Sequence, residues 1–227
     1  MRGIVDFAAR RKAAGIHLAV SVFVGTLAAI LVFGLWYPYP YSLISGGQAL
    51  FILILSVDLV LGPMLTLIVF NHSKTKSQLT RDIAVVGVLQ LAGLAYGLNT
   101  VFLARPVAIV FEVNQFRVVS DTDVMHSELP SALPELRKLS LTGPKILAAR
   151  RAESPDERLK AIDLALQGFD VGTRPSYWQP YSEAVDLVLE RARPLAEMHR
   201  RYPQHTSDID QAVLKTGRNL AELKFLP

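Results

Sequence analysis

The 227-residue chain contains no cysteine. Disulfides, zinc–thiolate sites and cysteine nucleophiles are therefore excluded. A domain of roughly 120 residues can bury enough core without a crosslink. Other chemical signatures are missing too. There is no glycine-rich phosphate loop, no zinc-type histidine spacing and no nucleophile elbow. The histidines (His17, His72, His126, His199 and His205) are scattered. His199 and His205 lie near each other, but their spacing fits no metal motif. No catalytic, cofactor-binding or metal-ligating residue is nominated. Charge is also scarce early in the chain. Residues 1–103 carry only Asp6, Asp58 and Asp82 as acids, and residues 37–48 contain no Lys or Arg.

Apolar residues are plentiful: 51% of the chain is hydrophobic, and the mean hydropathy is +0.30. They are concentrated in blocks at about 14–36, 49–70 and 83–103. Each has roughly the 20 residues that cross a hydrocarbon core. A cleaved signal peptide is the competing reading of the first block. Its apolar stretch exceeds the usual 7–15 residues of such a peptide. It also ends in the interfacial aromatics of Trp36-Tyr37-Pro38-Tyr39-Pro40-Tyr41 rather than in a small-residue cleavage site.

The net charge of +4 and the pI of 9.4 would suit nucleic acid. Position argues otherwise. Of 24 Lys+Arg and 20 Asp+Glu, 17 of each fall in residues 104–227, so that part is neutral. The excess comes from Arg2, Arg10, Arg11 and Lys12 before the first block and Lys74, Lys76 and Arg81 between the second and third. Positive flanks stay in the cytoplasm. The reading is an α-helical membrane protein with three transmembrane helices in residues 1–103. Its N-terminus and the 71–82 loop are cytoplasmic, and residues 104–227 lie across the membrane.

Asp58 is the one acid deep in a span, where such residues are costly. At about 1.5 Å per residue it lies roughly 14 Å below the outer end of span two. Thr26 falls at about 15 Å, Gln90 at roughly 20 Å and Tyr96 at about 10 Å. His17, at roughly 28 Å, reads as a poor partner. Asp58 is expected to bond across the bundle with Thr26, Gln90 or Tyr96. Such a bond is an interhelical clamp, a proton relay or a docking point for another membrane helix. Gly62-Pro63 follow; they read as a packing kink with close helix approach, or as a gate.

Residues 104–227 read as an α+β domain. Two β-rich runs within 106–120 flank Asn114-Gln115 and predict a hairpin. Ser154-Pro155-Asp156-Glu157 is a capping box with proline at the first helical position. Leu159, Ile162 and Leu166 then recur as a core stripe, and Gly168 stops the helix. A second helix starts near Ser182 with Val185, Val188, Ala192 and Leu195 on one face, divided or kinked by Pro194. A third starts near Ser207 with Asp210 at the capping-box position and carries Ile209, Val213 and Leu220. A short helix is expected near 134–139. The segment Arg174-Pro175-Ser176-Tyr177-Trp178-Gln179-Pro180-Tyr181 is either a loop whose rings cover the core or an exposed anchor for a partner or the membrane interface.

Several motifs resemble the TfpX/TfpZ family of type IV pilin accessory proteins. They are Val57-Asp58-Leu59-Val60-Leu61-Gly62-Pro63 with Leu65-Thr66-Leu67-Ile68-Val69-Phe70, Leu91-Ala92-Gly93-Leu94-Ala95-Tyr96-Gly97 with Ala104-Arg105-Pro106-Val107, and Phe111-Glu112-Val113 ahead of Phe116-Arg117-Val118-Val119. Arg174-Pro175 with Tyr177-Trp178-Gln179-Pro180-Tyr181 also fits. A member of that family is expected to continue with a further β segment where this chain stops at Phe225-Leu226-Pro227.

The resemblance implies a bacterial inner-membrane protein with a periplasmic domain. It would bind and stabilise or chaperone a cognate type IV major pilin, and no enzymatic activity or cofactor is implied. The candidate contacts are Asp58, Gly62, Pro63, Gln90 and Tyr96 toward the pilin helix, and the hairpin within 106–120 with Tyr177, Trp178 and Tyr181 toward its head. Competing readings are a membrane-anchored periplasmic sensor, a small proton-coupled transporter subunit using Asp58 and Gln90, and an envelope enzyme.

Overall fold

The structure is a computed structural model describing residues 2–71 and 74–226, with the side chains of residues 2–6 outside that description. His72 and the Arg2 side chain, both weighed above, fall outside it. The chain forms two compact units. The first is Met1–Pro106 with Ser120–Thr122 and Leu141–Gly143, and the second is Val107–Val119, Asp123–Ser140 and Pro144–Pro227.

Three long helices build the first unit: α1 (Arg2–Leu31), extended by a π-helical turn Val32–Trp36, then α3 (Gly47–Val69) and α4 (Lys76–Leu103). A single helical turn, α2 (Tyr41–Ile44), precedes α3. All three long helices are long and apolar enough to cross a membrane. α4 starts before its apolar run because Thr75 and Gln78 close a reciprocal capping box. Helix contacts run in opposite order along the chain. His17 meets Thr66, Gly25 meets Leu55 and Phe33 meets Phe51, so α1 and α3 are antiparallel. Gln90 meets Asp58 and Gly97 meets Ile54, so α3 and α4 are antiparallel too. α3 packs along both neighbours, while α1 and α4 meet through His17 and Gln90 and again at the end of α1, where Tyr37 reaches Val101.

The C-terminal end of α1 is locked by aromatics. The buried Tyr37 donates its hydroxyl to the Val101 carbonyl at 2.9 Å, and Trp36 meets Phe102 edge-on at 5.0 Å. Burial pushes the Tyr37 phenol up to about 12, against the lowering effect of Arg105. Arg105 stacks 3.8 Å over Phe102 and pairs with the buried Asp121 at 2.6 Å.

The second unit is built on a four-stranded sheet ordered β2-β1-β3-β4, with β1 (Pro106–Glu112), β2 (Gln115–Ser120), β3 (Lys145–Ala149) and β4 (Trp178–Pro180). β1 and β3 are parallel, with Val110 opposite Leu147, and β3 and β4 are antiparallel, with Ala148 opposite Gln179. The predicted hairpin is present, one residue earlier than expected. Its turn is Val113-Asn114, and Val113 rather than Asn carries the positive φ of 56°. The sheet is buried on both faces. One side holds Ala108, Val110, Val119, Leu147 and Trp178. The other packs Phe111 and Ala148 on Ala184 and Val188. Each fully buried Val, Leu or Phe among them contributes roughly 2 kcal/mol of apolar burial.

Four helices belong to this unit: α5 (Pro155–Leu166), α6 (Val185–Arg191), which packs on the sheet through Val188, α7 (Ala196–Arg201) and α8 (Thr206–Thr216). Ser154 caps α5 by accepting from the Glu157 amide at 3.1 Å, and Gly168 takes φ 96° at the stop. Pro194 divides the second predicted helix into α6 and α7, and the intervening β5 (Arg193–Pro194) pairs with β6 (Lys224–Phe225). α8 begins at Thr206 with no side-chain cap, so Ser207 and Asp210 do not form the expected box. The helix expected near 134–139 is a 3-10 turn, Pro134–Leu136. The α5 stripe departs most from expectation. Leu159, Ile162 and Leu166 are 67%, 53% and 84% exposed. The side turned inward carries the half-buried Ala161, Leu164 and Ala165.

Candidate functional site

Polar side chains among apolar helices must find partners, because an unpaired buried donor or acceptor costs free energy. In the first unit they converge on His17. Its Nδ1 lies 2.6 Å from Thr66 Oγ1, and its Nε2 pairs with Gln90 Oε1. Gln90 Nε2 donates to the main-chain carbonyl of Asp58 at 3.0 Å. The Asp58 carbonyl can only accept, which fixes the Gln90 amide with Oε1 toward the ring. Oε1 can only accept as well, so His17 Nε2 carries the hydrogen. In the neutral ring His17 Nδ1 then accepts from the Thr66 hydroxyl. One directed chain of hydrogen bonds thus ties three helices together.

Gly62 makes the chain possible. A Cβ at Gly62 would land on the Gln90 amide, so the close approach expected there is by a side chain rather than by a helix backbone. Pro63 lies half-buried within α3 one residue on.

Several expectations are corrected. Asp58 meets Gln90 through its carbonyl, not its carboxylate. Thr26 bonds within its own helix, to the Val22 carbonyl at 2.8 Å. Tyr96 is 77% exposed and takes no part. His17, read as too deep, is the centre of the chain. The cause is the tilt of side chains toward a helix N-terminus. Gln90 leans down α4 toward the level of His17. In the antiparallel α3 the carbonyl of Asp58 points the same way, while its carboxylate leans the other way.

Asp58 lines a cavity of about 190 Å³ with His17, Ser21, Gly25, Gly87 and Gln90. Among the described residues its carboxylate has no hydrogen-bond partner. A second cavity of about 400 Å³ adjoins it, sharing His17, Val20 and Gly87 and reaching Ala13, Thr66 and Ile83. Together they form a cleft between α1 and α4, floored by α3.

In the second unit, the aromatic segment turns inward. Tyr177 and Trp178 are 1% and 4% exposed, and Tyr181 is half-buried. The rings cover the core, and charges hold them there. Arg174 donates from Nε and Nη2 to Glu128 Oε1 at 3.0 and 2.7 Å, while Ser176 donates to Oε2 at 2.5 Å. Arg150 and Arg174 each stack 4.6 Å from the Tyr177 ring centre. Trp178 Nε1 donates to the Gly172 carbonyl at 2.8 Å, and the Gly172 amide donates to Glu112 Oε2 at 2.8 Å. Burial works against the charge on Glu128, but the bonds from Arg174 and Ser176 outweigh it and hold the carboxyl below its ordinary value. Arg150, with the Glu153 amide, brings Glu157 down to about 2. Interleaved arginines and aromatics were the sequence signal of this network. Among the described residues no cluster of His, Asp and Glu could hold a metal ion.

Comparisons with known proteins bear on the whole chain. Residues 5–46 match the family model described as Fimbrial assembly protein FimB. A fimbrial assembly protein of serogroup I from Dichelobacter nodosus is 39% identical over 217 residues, covering 95% of this chain and 84% of the relative. The serogroup E1 protein of the same organism is 38% identical over the same shares. The chain belongs to the fimbrial assembly protein family. A further member, from serogroups C1 and C2, is 42% identical over 121 residues, 53% of this chain and 92% of its own length. No solved structure matches. The fimbrial family agrees with the resemblance to type IV pilin accessory proteins and carries a role in fimbrial assembly. The three apolar helices mark a multi-pass membrane protein.

Proposed function

We propose that this fimbrial assembly protein resides in the bacterial inner membrane with its N-terminus in the cytoplasm and residues 104–227 in the periplasm. There it binds its cognate type IV major pilin and stabilises or chaperones it before assembly. The observation that carries this reading is the 39% identity to a fimbrial assembly protein across 95% of the chain. The orientation is supported by basic flanks at Arg10, Arg11, Lys12, Lys74, Lys76 and Arg81, with none in residues 37–48.

The bundle would meet the pilin's apolar helix on the side bearing Asp58, with Gly62, Pro63 and Gln90 shaping that surface. The second unit would meet the pilin head through exposed groups such as the hairpin tip at Val113. Tyr177 and Trp178 serve that contact only indirectly, as the core that positions the hairpin and Tyr181. Deleting the protein with the pilin gene intact should reduce surface pili and total pilin, and pilin should co-purify with the wild-type chain. Asp58→Leu should lower that recovery. Undiminished piliation in the deletion strain would defeat the proposal.

A further inference from the structure

Helix α5 turns its larger apolar side chains away from its own domain. The half-buried side carries Ala161, Leu164 and Ala165, while Leu159, Ile162 and Leu166 are 67%, 53% and 84% exposed. At about 100° and 1.5 Å per residue, these three share roughly 60° of arc and span about 10 Å. A single exposed leucine is ordinary, but an aligned exposed stripe marks a contact surface. The helix that carries it is fixed at both ends. Ser154 caps its start, Arg150 pairs with Glu157 in its first turn at 2.8 Å, and Gly168 ends it with φ 96°.

Charge says what covers the stripe. α5 carries three acids (Asp156, Glu157 and Asp163) and two bases (Arg158 and Lys160). That balance does not suit an anionic lipid surface, where the polar face is rich in Lys and Arg. It does suit a second α5. Lys160 and Asp163 lie exposed on one flank of the stripe and Arg158 on the other. Two α5 helices laid antiparallel about a two-fold axis through Ile162 bring like flanks together. Leu159 then sits beside Leu166 of the second copy. Lys160 falls about 1.5 Å along the helix axis from the second copy's Asp163, and symmetry repeats the pair. The two Arg158 positions stay about 12 Å apart along the axis. Asp163 Oδ2 accepts from Gln167 within its own helix at 3.1 Å, which leaves Oδ1 for the lysine.

We propose that the α5 stripe is a self-association surface, on which two copies of this chain pair through antiparallel α5 helices and two reciprocal Lys160–Asp163 ion pairs. One such stripe is smaller than a permanent dimer needs. The pairing is therefore weak and depends on confinement, because a multi-pass membrane protein meets its copies at high effective concentration. It does not rest on the binding of pilin.

The chain has no native cysteine, so one introduced thiol reports on the contact. Ile162→Cys sits on the two-fold axis. Leu214→Cys, on α8 and 78% exposed, is the control away from the stripe. Mild oxidation of isolated membranes holding the full chain should give a covalent dimer from Ile162→Cys and not from Leu214→Cys. In the Ile162→Cys background, Lys160→Asp or Asp163→Lys alone should lower trapping about tenfold, because both symmetric pairs turn from attraction to repulsion. The two substitutions combined should restore it. Two differently tagged chains, one bearing each substitution, should pair with each other rather than with themselves. Equal trapping at both cysteines, single substitutions without effect, or a combined variant no better than the single ones would overturn the inference. So would an Ile162→Cys chain that stays monomeric on oxidation, whether its thiol is open to a soluble maleimide or shielded by lipid or pilin. Isolated membranes leave both sides accessible, so the result does not depend on which side residues 104–227 occupy, and pilin recovery tests the accessory role separately.

Discussion

Gly62 and Gln90 should be coupled, and the coupling can be worked out from their geometry. In Gly62→Ala the new methyl lands where the Gln90 amide sits. The amide must leave both the Asp58 carbonyl and His17, or α3 and α4 must move apart. The displaced amide is the far end of a flexible side chain, so the cost is the two interhelical hydrogen bonds it gives up, worth roughly 0.6 kcal/mol each in a membrane protein, or about 1 kcal/mol together. Gln90→Ala removes the same two bonds at about the same cost. If the sites were independent, the double variant would lose about 2 kcal/mol. With the amide gone the methyl has room, so the double variant should lose only about 1 kcal/mol. The coupling is then roughly 1 kcal/mol, above the few tenths expected of unconnected sites. Reversible unfolding of the full chain in mixed micelles, run on all four proteins, measures it. Additive losses would show that Gln90 does not occupy the space above Gly62, and the directed chain through His17 would fall with it.

Two further outcomes concern the second unit. Val113 holds a left-handed φ of 56° while 78% exposed, a conformation that costs a β-branched residue roughly 1–2 kcal/mol. Val113→Asn should raise the stability of the full chain by about 1 kcal/mol, read from its melting temperature, and an unchanged or lower melting temperature would contradict the strain. Glu128 and Glu157 are held below their ordinary values by Arg174 and Arg150. A carboxyl depressed in the folded state stabilises fully above its unfolded value and loses that contribution as pH falls through the folded one. With Glu157 at about 2, stability should fall as pH drops from about 4.3 toward 2. Trp178 fluorescence in a Trp36→Phe background follows the transition, and Glu157→Gln should flatten part of the slope.

The helices were legible where one residue type decided the matter. Long apolar runs marked α1, α3 and α4, Ser154 with Pro155 and Glu157 marked the start of α5, and Pro194 divided α6 from α7. What escaped depended on neighbours distant in sequence. Lys145-Ile146-Leu147-Ala148-Ala149 has no alternation, and it is a strand because β1 lies beside it in parallel. Trp178-Gln179-Pro180 is another, with Pro180 tolerated at the end of the outermost strand β4. The α5 stripe gave the right period, but the domain turned the opposite, alanine-bearing side of the helix inward. In the bundle, a meeting of Asp58 with Gln90 was expected and occurs through the Asp58 carbonyl, yet counting depth along Cα positions hid His17. Reach and tilt of side chains moved the meeting point about a turn along the axis. The cavities beside His17 had no local signature, because residues of all three helices line them.

The most direct measurement is protease treatment of intact spheroplasts from cells expressing the chain. Cleavage beyond Leu103 from outside, leaving a protected fragment that contains the three apolar helices, is the result expected if residues 104–227 share a compartment with pilin heads. A C-terminal part that stays whole until the membrane is permeabilised would put those residues on the wrong side and contradict the account.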